Sequence, residues 1–335
     1  MKKLMGGIIT DFFCQYLVSE AGLSENTLKS YRDTLVLYIK YLEDCRECKP
    51  RNLDIVAFNA ENVSKFLDWL ESERHCSVST RNQRLAALKA FCNYVIRRAP
   101  ENSKGCQSIL QLRIKRAPSA IVDYLPTDTI ASILKQPNFG TSEGIRDLAI
   151  LSFLYETGCR VQELIDVCLG DISFRKPNTV TLTGKGRKTR VIPISSNATD
   201  IILQYVERHK ITKPDQTLFR NRSNKPLSRS GVAYILKKHL TSARQVDPTI
   251  LIKSIHPHVI RHSKAMHLLE SGVNLIYIRD FLGHSSVTTT EIYAKCNPEL
   301  KRKYIIEAAS QLDDSIQPYS DNEKDELLDW LKNNI

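Results

Sequence analysis

Seven residues late in the chain, HPHVIRH at positions 256–262, combine three histidines and an arginine within two turns of a predicted helix. His258 and His262 are four apart and therefore share a helix face. A zinc protease needs glutamate directly after the first histidine, but Val259 holds that place, and Arg261 would repel a dication. We therefore expect no metal here. His258 and Arg261 near a helix start instead suit a phosphate, either for chemistry or only as a contact to a DNA backbone.

Three other stretches hold residues that can act on a phosphate. In TGCRVQELIDV, Arg160 stands at a predicted helix start with Glu163 three residues on, a spacing that lets a carboxylate orient a guanidinium. In TGKGRKTRVIPI, Lys185 lies between two glycines, and a P-loop is excluded because the upstream glycine and the following Ser or Thr are missing. In LGHSSVTTTEIYA, His284 follows a glycine and Tyr293 comes nine residues later.

The order of these candidates carries more information than any one of them. Along the chain they are Arg160, Glu163, Lys185, His258, Arg261, His284 and Tyr293. The stretches TGCRVQEL, TGKGRKTRVIPI, HPHVIRH with LLESGVNLIYIRDFLGHSS, and VTTTEIYAK strongly resemble the tyrosine recombinase (phage integrase) family. The resemblance covers residues 124–296 closely, and the helical residues before them look like the family's core-binding domain with weaker motifs.

The resemblance implies DNA strand transfer through a covalent tyrosine. Tyr293 would attack the phosphodiester and form a 3′-phosphotyrosyl link, with Tyr304 as a nearby rival for that role. Lys185 would donate a proton to the leaving 5′-oxygen, and His258 would assist proton transfer near the nucleophile. A tyrosine hydroxyl has a pKa of about 10, so it needs surrounding cations to react at neutral pH.

The same resemblance implies how the charge on the reacting phosphate is stabilised. Arg160 and Arg261 would supply guanidinium donors and His284 an imidazolium, while Glu163 would orient Arg160. Since the phosphotyrosyl link conserves the phosphodiester energy and side chains supply the cations, we expect no cofactor and no metal.

Several biological roles are compatible with this chemistry. Integration or transposition of a mobile genetic element is the first, and resolution of chromosome or plasmid dimers, as in the Xer branch, is the second. A DNA-binding protein without catalysis belongs to another class, and the complete residue set argues against it. A type IB topoisomerase is disfavoured by the LGHSS context and the recombinase-like helical start.

The elements that must position these residues are mostly helices. LSENTLKSYRDTLVLYIKYLED, with Ser24 as N-cap, and STRNQRLAALKAFCNYVIRR, with a Thr80–Gln83 capping box, both show apolar residues at spacings of three and four. A further helix should start at Thr127 or Asp128. The runs 179–183 and 189–194, joined by a glycine-rich turn, predict a β-hairpin.

Candidate DNA-contacting residues lie on these elements. Their individual charges are also compatible with an ordinary solvated face. They are Lys29, Arg32, Arg81, Arg84 and Lys89 on the helices, with Arg187 and Lys188 in the hairpin turn.

The predicted fold is mainly α-helical with a small antiparallel β-sheet in the catalytic domain. We expect a helical core-binding domain of the SAM-like type over residues 1–105, a linker over 106–123 and a catalytic domain over 124–310. Residues 311–335 form an acidic tail for contact between protomers. The two domains would close as a C-shaped clamp around double-stranded DNA. The family implies a homo-tetramer on two DNA sites, with sister recombinases or DNA-bending proteins as possible accessory partners.

Composition supports these expectations. The 335 residues carry a formal net charge of +11. By our count it divides into +5 over residues 1–123, +11 over 124–310 and −5 over 311–335, which suits a polyanion-binding protein with a protein-facing tail. No run of about 20 apolar residues predicts a membrane span, and the start does not fit a signal peptide. The nine cysteines form no regular framework, and the pair Cys45 and Cys48 lacks a partner pair for zinc. We therefore expect a cytoplasmic protein.

Overall fold

The computed structural model describes residues 5–23, 25–46, 58–116, 123–252 and 254–284, and the single positions 290, 302, 306, 326, 329 and 332. The chain divides into two compact units, residues 1–120 and 121–335. The described part is mainly α-helical with one small antiparallel sheet, which confirms the predicted fold class. Within that part, no helix has both the length and the apolarity needed to cross a bilayer.

The first unit packs its helices around aromatic side chains. Phe12 lies against Phe91 with ring centroids 5.2 Å apart, and Tyr38 lies 4.9 Å from Phe58; all four side chains are fully buried. The helices are α1 (Met5–Asp11) with a π-helical continuation (Phe12–Glu20), α2 (Glu25–Arg46), α3 (Ala60–Ser72), α4 (Val78–Arg98) and α5 (Ser103–Leu110).

Three local predictions in or near this unit need correction or remain open. α4 is capped by Ser77, whose hydroxyl accepts a hydrogen bond from the Thr80 backbone N–H, so the predicted Thr80–Gln83 capping box is wrong. α5 extends into the predicted linker over residues 106–123, because Cys106 and Ile109 bury its apolar face in the core. Ser24, the predicted cap of α2, and Cys48 of the cysteine pair lie outside the described residues.

The second unit is also built mainly of helices. α6 follows Pro126, which makes no side-chain cap, so neither Thr127 nor Asp128 is the N-cap. The core is apolar throughout and includes the fully buried rings of Phe153 and Phe219, 5.3 Å apart. The helices are α6 (Thr127–Leu134), α7 (Ser142–Thr157), α8 (Val161–Asp166), α9 (Ser196–Arg208), α10 (Arg229–Val246), α11 (Pro257–Glu270) and α12 (Leu275–Leu282).

The sheet of the second unit contains the predicted hairpin. β2 (Thr179–Thr183) pairs antiparallel with β3 (Thr189–Pro193), which confirms the hairpin, and the short strand β1 (Ile172–Ser173) extends it on the other side of β2. The turn between β2 and β3 is a 3-10 turn over Lys185–Arg187, closed by a hydrogen bond of 2.8 Å from the Gly184 N–H to the Lys188 carbonyl.

Two helices of this unit end at left-handed glycines. α7 ends at Gly158 (φ 53°) and α12 ends at Gly283 (φ 64°). Glycine adopts this backbone conformation without the steric cost that other residues meet, which makes it the common C-terminal stop of helices. α11 begins at Pro257, a residue that suits the first helical turn, and this agrees with the helix start predicted near His258. The ends of α7 and α12 meet beside the start of α8, and Arg160, Glu163, Arg261 and His284 lie around this meeting point.

Candidate active site

Arg160 and Glu163 form the predicted ion pair at the start of α8. Arg160 Nη1 lies 2.9 Å from Glu163 Oε1, and the Arg160 backbone N–H donates to Glu163 Oε2 at 2.8 Å. The second contact satisfies one of the unpaired N–H groups that every helix start exposes. Glu163 therefore holds Arg160 by its backbone and its side chain at once.

Arg190, on β3, is a third partner in this pair and was missed by the sequence reasoning. Its Nη1 and Nη2 lie 3.0 and 2.7 Å from the two oxygens of Glu163, and its Nε donates to the Phe281 carbonyl at 2.9 Å. A signal existed in the strand pattern. Arg190 has the same alternation as Ile192, which is buried, and a charge facing inward needs a partner.

The C-terminal end of α12 collects three guanidinium groups on consecutive carbonyls. Arg190 donates to Phe281, Arg261 Nη2 donates to Leu282 at 2.6 Å, and Arg160 Nη2 donates to Gly283 at 3.0 Å. The last carbonyls of a helix lack partners within the helix and carry its negative dipole end. Cations are therefore stabilised there, and the mutual repulsion of three like charges is reduced.

Arg261 also joins the two helix ends. Its Nη1 donates to the carbonyl of Gly158 at 2.8 Å, and its side chain is buried. A Cβ on Gly158 would lie 3.1 Å from Leu282 and 3.2 Å from Phe281, while one on Gly283 would lie 3.0 Å from Arg190 Nη1. A side chain at either glycine would therefore require its neighbours to shift by a few tenths of an ångström, in addition to the strain of the positive φ.

The carboxylate of Glu163 stays ionised in this setting. Burial raises its pKa, but the hydrogen bonds from Arg190 and from the Arg160 backbone, with the charge of Arg190 and the hydrogen bond from the Arg160 side chain, outweigh burial and lower the pKa overall. The site thus combines three guanidinium groups, those of Arg160, Arg190 and Arg261, with the single carboxylate of Glu163. These four side chains together carry an excess of positive charge.

The pKa values of three histidines near these arginines are lowered from 6.5, so these side chains are neutral at pH 7 in the DNA-free chain. Burial, then the charges of Arg261 and Arg160, lower the pKa of His284 to about 4. Burial and the neighbouring His258 and Arg261 lower the pKa of His262 to about 4 as well. His258 is exposed in the first turn of α11, and partial desolvation of its ring, followed by the charge of Arg261, lowers its pKa. His284 Nδ1 lies 3.0 Å from Thr290 Oγ1.

A cleft of about 670 Å³ opens beside these residues. Arg160, Arg190 and His284 line it together with the hairpin turn, which contributes Gly184, Gly186 and Lys188. The turn places the backbone of Lys185 next to the ion pair, since a Cβ on Gly184 would lie 2.9 Å from Glu163 Oε1. Arg187 and Lys188, predicted to contact DNA, are exposed at this tip. Tyr293 lies outside the described residues.

The helical DNA-contact candidates fall into two groups. Lys29 and Arg32 are exposed on α2, where each lies 2.9 Å from a carboxylate, that of Glu25 and that of Asp33. The remaining candidates are partly buried. The other three make contacts within their own unit: Arg81 lies 3.2 Å from Glu71, Arg84 donates to Ser30 and Thr34, and Lys89 donates to the carbonyls of Leu110 and Leu112.

Comparisons with known proteins agree with this geometry. Residues 123–299 match the model of the phage integrase family, and residues 10–99 match that of the phage integrase N-terminal SAM-like domain. "Putative integrase/recombinase y4rC" of Sinorhizobium fredii is 32% identical over 295 residues, which are 88% of each chain. The chain belongs to the phage integrase family of tyrosine recombinases. Enzymes of this family cut and rejoin DNA.

Other relatives extend the comparison within the family. Tyrosine recombinase XerD of Listeria innocua is 30% identical over 294 residues, 86% of this chain and 94% of that one. Among solved structures, the XerH recombinase bound to palindromic difH substrate matches with a TM-score of 0.65 at 19% identity, over 85% of this chain and 80% of that one. The Tn1549 transposon integrase in complex with transposon right end DNA matches with a TM-score of 0.65 at 16% identity, over 85% and 94%. These structures show a shared fold.

Proposed function

We propose that this recombinase cuts double-stranded DNA through a 3′-phosphotyrosyl intermediate at Tyr293 and that it serves the integration or transposition of a mobile element. The observation that carries the chemistry is the set of three guanidinium groups held on the end of α12 beside an open cleft. Preorganised cations of this kind stabilise the charge that develops on the non-bridging oxygens of a reacting phosphodiester.

Arg160 is the first candidate to touch that phosphate. A guanidinium has five N–H groups, and Arg160 directs two of them to Glu163 and Gly283 while its side chain remains 32% exposed in the cleft. Arg261 would support the same charge from behind. In the reaction, the Tyr293 oxygen forms a bond to phosphorus, the bond from phosphorus to the 5′-oxygen breaks, and Lys185 gives its proton to that oxygen.

The neutral histidines fit two different duties. His258, whose pKa is lowered, can accept the proton that leaves Tyr293. His284 can donate a hydrogen bond to the phosphate, and a bound phosphate would raise its pKa and favour the charged form. Rejoining reverses these steps when a 5′-hydroxyl attacks the phosphotyrosyl link. The link conserves the phosphodiester energy, so the cycle needs no nucleotide cofactor.

The chemistry is tested by covalent capture. Purified protein is incubated with a library of nicked duplexes carrying random sequence around the nick, and adducts that survive SDS are isolated and sequenced. We expect adducts with a common sequence from the native chain and none from Tyr293→Phe. Tyr304→Phe is the matched control and should behave as the native chain. An adduct that persists in Tyr293→Phe and disappears in Tyr304→Phe would move the nucleophile.

The biological role is decided by where the captured sequence occurs. The relative called integrase/recombinase, which spans 88% of both chains, supports the mobile-element role. The XerD relative, matched over 94% of its length, supports dimer resolution as the second candidate. Captured sites at both ends of the DNA segment that carries the gene would favour the first role. A single site in the replication terminus of the host chromosome would favour the second.

For assembly, we propose a clamp of residues 1–105 and 124–310 around DNA, joined by the linker 106–123, with four chains on two DNA sites and residues 311–335 contacting a neighbouring protomer. The acidic tail against the basic remainder supports this arrangement. Sedimentation of the DNA complex measures it. Deletion of residues 318–335 should yield smaller complexes, and unchanged tetramers would refute the role of the tail.

A further inference from the structure

We propose that Arg190 is a positioning residue for strand transfer, acting through Glu163 and through the end of α12. The inference rests on the proposed function of the neighbouring arginines. Arg190 is set apart from an ordinary buried ion pair by the three segments it joins. It lies on β3, it binds a carboxylate on α8, and it binds the last turn of α12.

The hydrogen bonds of Glu163 leave the carboxylate a single orientation. Oε1 accepts from Arg160 Nη1 and Arg190 Nη1 at 2.9 and 3.0 Å, and Oε2 accepts from Arg190 Nη2 and the Arg160 backbone at 2.7 and 2.8 Å. Arg190 thus supplies half of the four contacts. Without it, one contact to each oxygen is lost, and the carboxylate is free to turn away from the geometry that aims Arg160 at the cleft.

The contact with Phe281 extends this effect to His284. Phe281 lies three residues before His284, in the turn that Gly283 closes. β3, which carries Arg190, also continues directly from the turn that holds Lys185. One side chain therefore fixes the spacing between three segments, each of which carries a residue proposed to act on the phosphate. A misplacement of about 1 Å in such a site can reduce the rate about 100-fold.

Arginine suits this position better than lysine because of its shape. The planar fork of a guanidinium binds both oxygens of a carboxylate while its Nε binds a third acceptor, which an ammonium on a flexible stem cannot reproduce. The side chain of Arg190 is only 12% exposed, so the surrounding residues hold the fork in place. A lysine would preserve the charge and lose the spacing, which gives a test of position against charge.

The test compares Arg190→Ala and Arg190→Lys with the native chain on one captured nicked duplex. Arg220→Ala is the matched control, since Arg220 is also partly buried and its Nε also donates to a backbone carbonyl, that of Thr217, outside the cleft. Three quantities are measured: the rate of adduct formation at saturating protein, the dissociation constant for the duplex, and the thermal unfolding midpoint.

We expect Arg190→Ala to slow adduct formation about 100-fold and Arg190→Lys about 10-fold, with dissociation constants within about 3-fold of the native value. Arg220→Ala should retain the native rate. Glu163→Gln combined with Arg190→Ala should be no slower than the worse single variant by more than about 3-fold, because both changes break one unit.

Clear results would overturn the proposal. Arg190→Ala with a native rate would do so, as would a rate in Arg220→Ala that falls as far as in Arg190→Ala. A native rate in Arg190→Lys would also overturn it, because the positive charge at position 190 would then suffice without the guanidinium fork. If Arg190→Ala does not fold, the Arg190→Lys rate decides. Absence of any adduct from the native chain would instead count against the proposed function.

Discussion

Buried and half-buried cations have different partners in the two units of this recombinase. In the first unit they are dispersed: Lys89 donates to one carbonyl at the end of α5 and one just after it, and Arg84 donates to α2. In the second unit Arg160, Arg190 and Arg261 converge on three consecutive carbonyls and one carboxylate. Dispersed cations fasten segments together. Converging cations repel one another in the native state, and a bound anion would reduce that repulsion.

The largest expected difference between the units is between Arg261→Ala and Lys89→Ala. Each removes a cation bound to two carbonyls. Arg261→Ala should reduce adduct formation about 1000-fold and lower the unfolding free energy by about 3 kcal/mol, since two buried carbonyls lose their partner. Lys89→Ala should cost about 1 kcal/mol and leave the rate at saturating DNA within about 3-fold. Chemical denaturation measures the unfolding free energy, and single-turnover cleavage measures the rate of adduct formation. Equal rate losses in the two variants would contradict the difference between the units.

A smaller contrast is expected between Gly283→Ala and Gly22→Ala. Both glycines have positive φ, but a Cβ at Gly283 would lie 3.0 Å from Arg190 Nη1, whereas one at Gly22 meets nothing within 4 Å. Each substitution should cost about 1 kcal/mol of backbone strain. Only Gly283→Ala should also slow adduct formation, by about 10-fold or more, because it displaces Arg190. A rate loss in Gly22→Ala of similar size would mean that strain alone explains the effect.

The pH dependence of stability should show whether the pKa of His284 is lowered in the folded chain. Its pKa is lowered from 6.5 to about 4 in the folded chain, so between those values the unfolded chain binds the extra proton. Stability is therefore lost as pH falls through this window. From pH 6.5 to 5 these two pKa values give a loss of about 1.6 kcal/mol, which solvent screening of the half-buried ring should reduce to about 1 kcal/mol. His284→Gln should reduce the loss by that amount. Denaturant titration at each pH gives the unfolding free energy of the two proteins. Identical pH profiles of that free energy would contradict the lowered pKa.

Protonation of His284 should also be coupled to DNA binding. Because a bound phosphate favours the charged imidazole, the captured duplex should bind more tightly at pH 6 than at pH 8. His284→Gln should weaken that dependence, which a fluorescence-anisotropy titration at fixed salt would measure. A pH dependence unchanged in His284→Gln would place the titrating group elsewhere, with His258 as the next candidate.

The smallest expected effects concern the surface of α2. Lys29 and Arg32 have side chains 54% and 62% exposed, so they can reach phosphates, whereas Arg84 donates within its unit. Lys29→Ala and Arg32→Ala should each reduce the salt slope of DNA binding by about 1. Arg84→Ala should leave that slope unchanged and lower the unfolding midpoint by a few degrees. If Arg84→Ala reduced the salt slope and Lys29→Ala and Arg32→Ala did not, Arg84 rather than the two residues on α2 would contact phosphates.

Local features of the fold followed from the sequence where neighbouring residues decide them. The hairpin, the start of α11 at Pro257 and the Arg160–Glu163 pair depend on residues close together in the chain, and they were predicted. The cap of α4 was not. Ser77 and Thr80 both have cap-forming hydroxyls, and only the actual start of the helix selects between them.

The sequence by itself determined which residue types this site can use and their order, because short stretches of neighbouring residues predict the hairpin and the start of α11. Only the tertiary structure decided how they meet. Gly158, Arg190 and Phe281 are separated by 32 to 123 residues along the chain, and their contacts arise because the helix ends pack together. Packing brings Arg190 onto Glu163 and buries His284 among arginines, which lowers its pKa. Position and protonation were therefore set by burial and charge, which no local pattern contains.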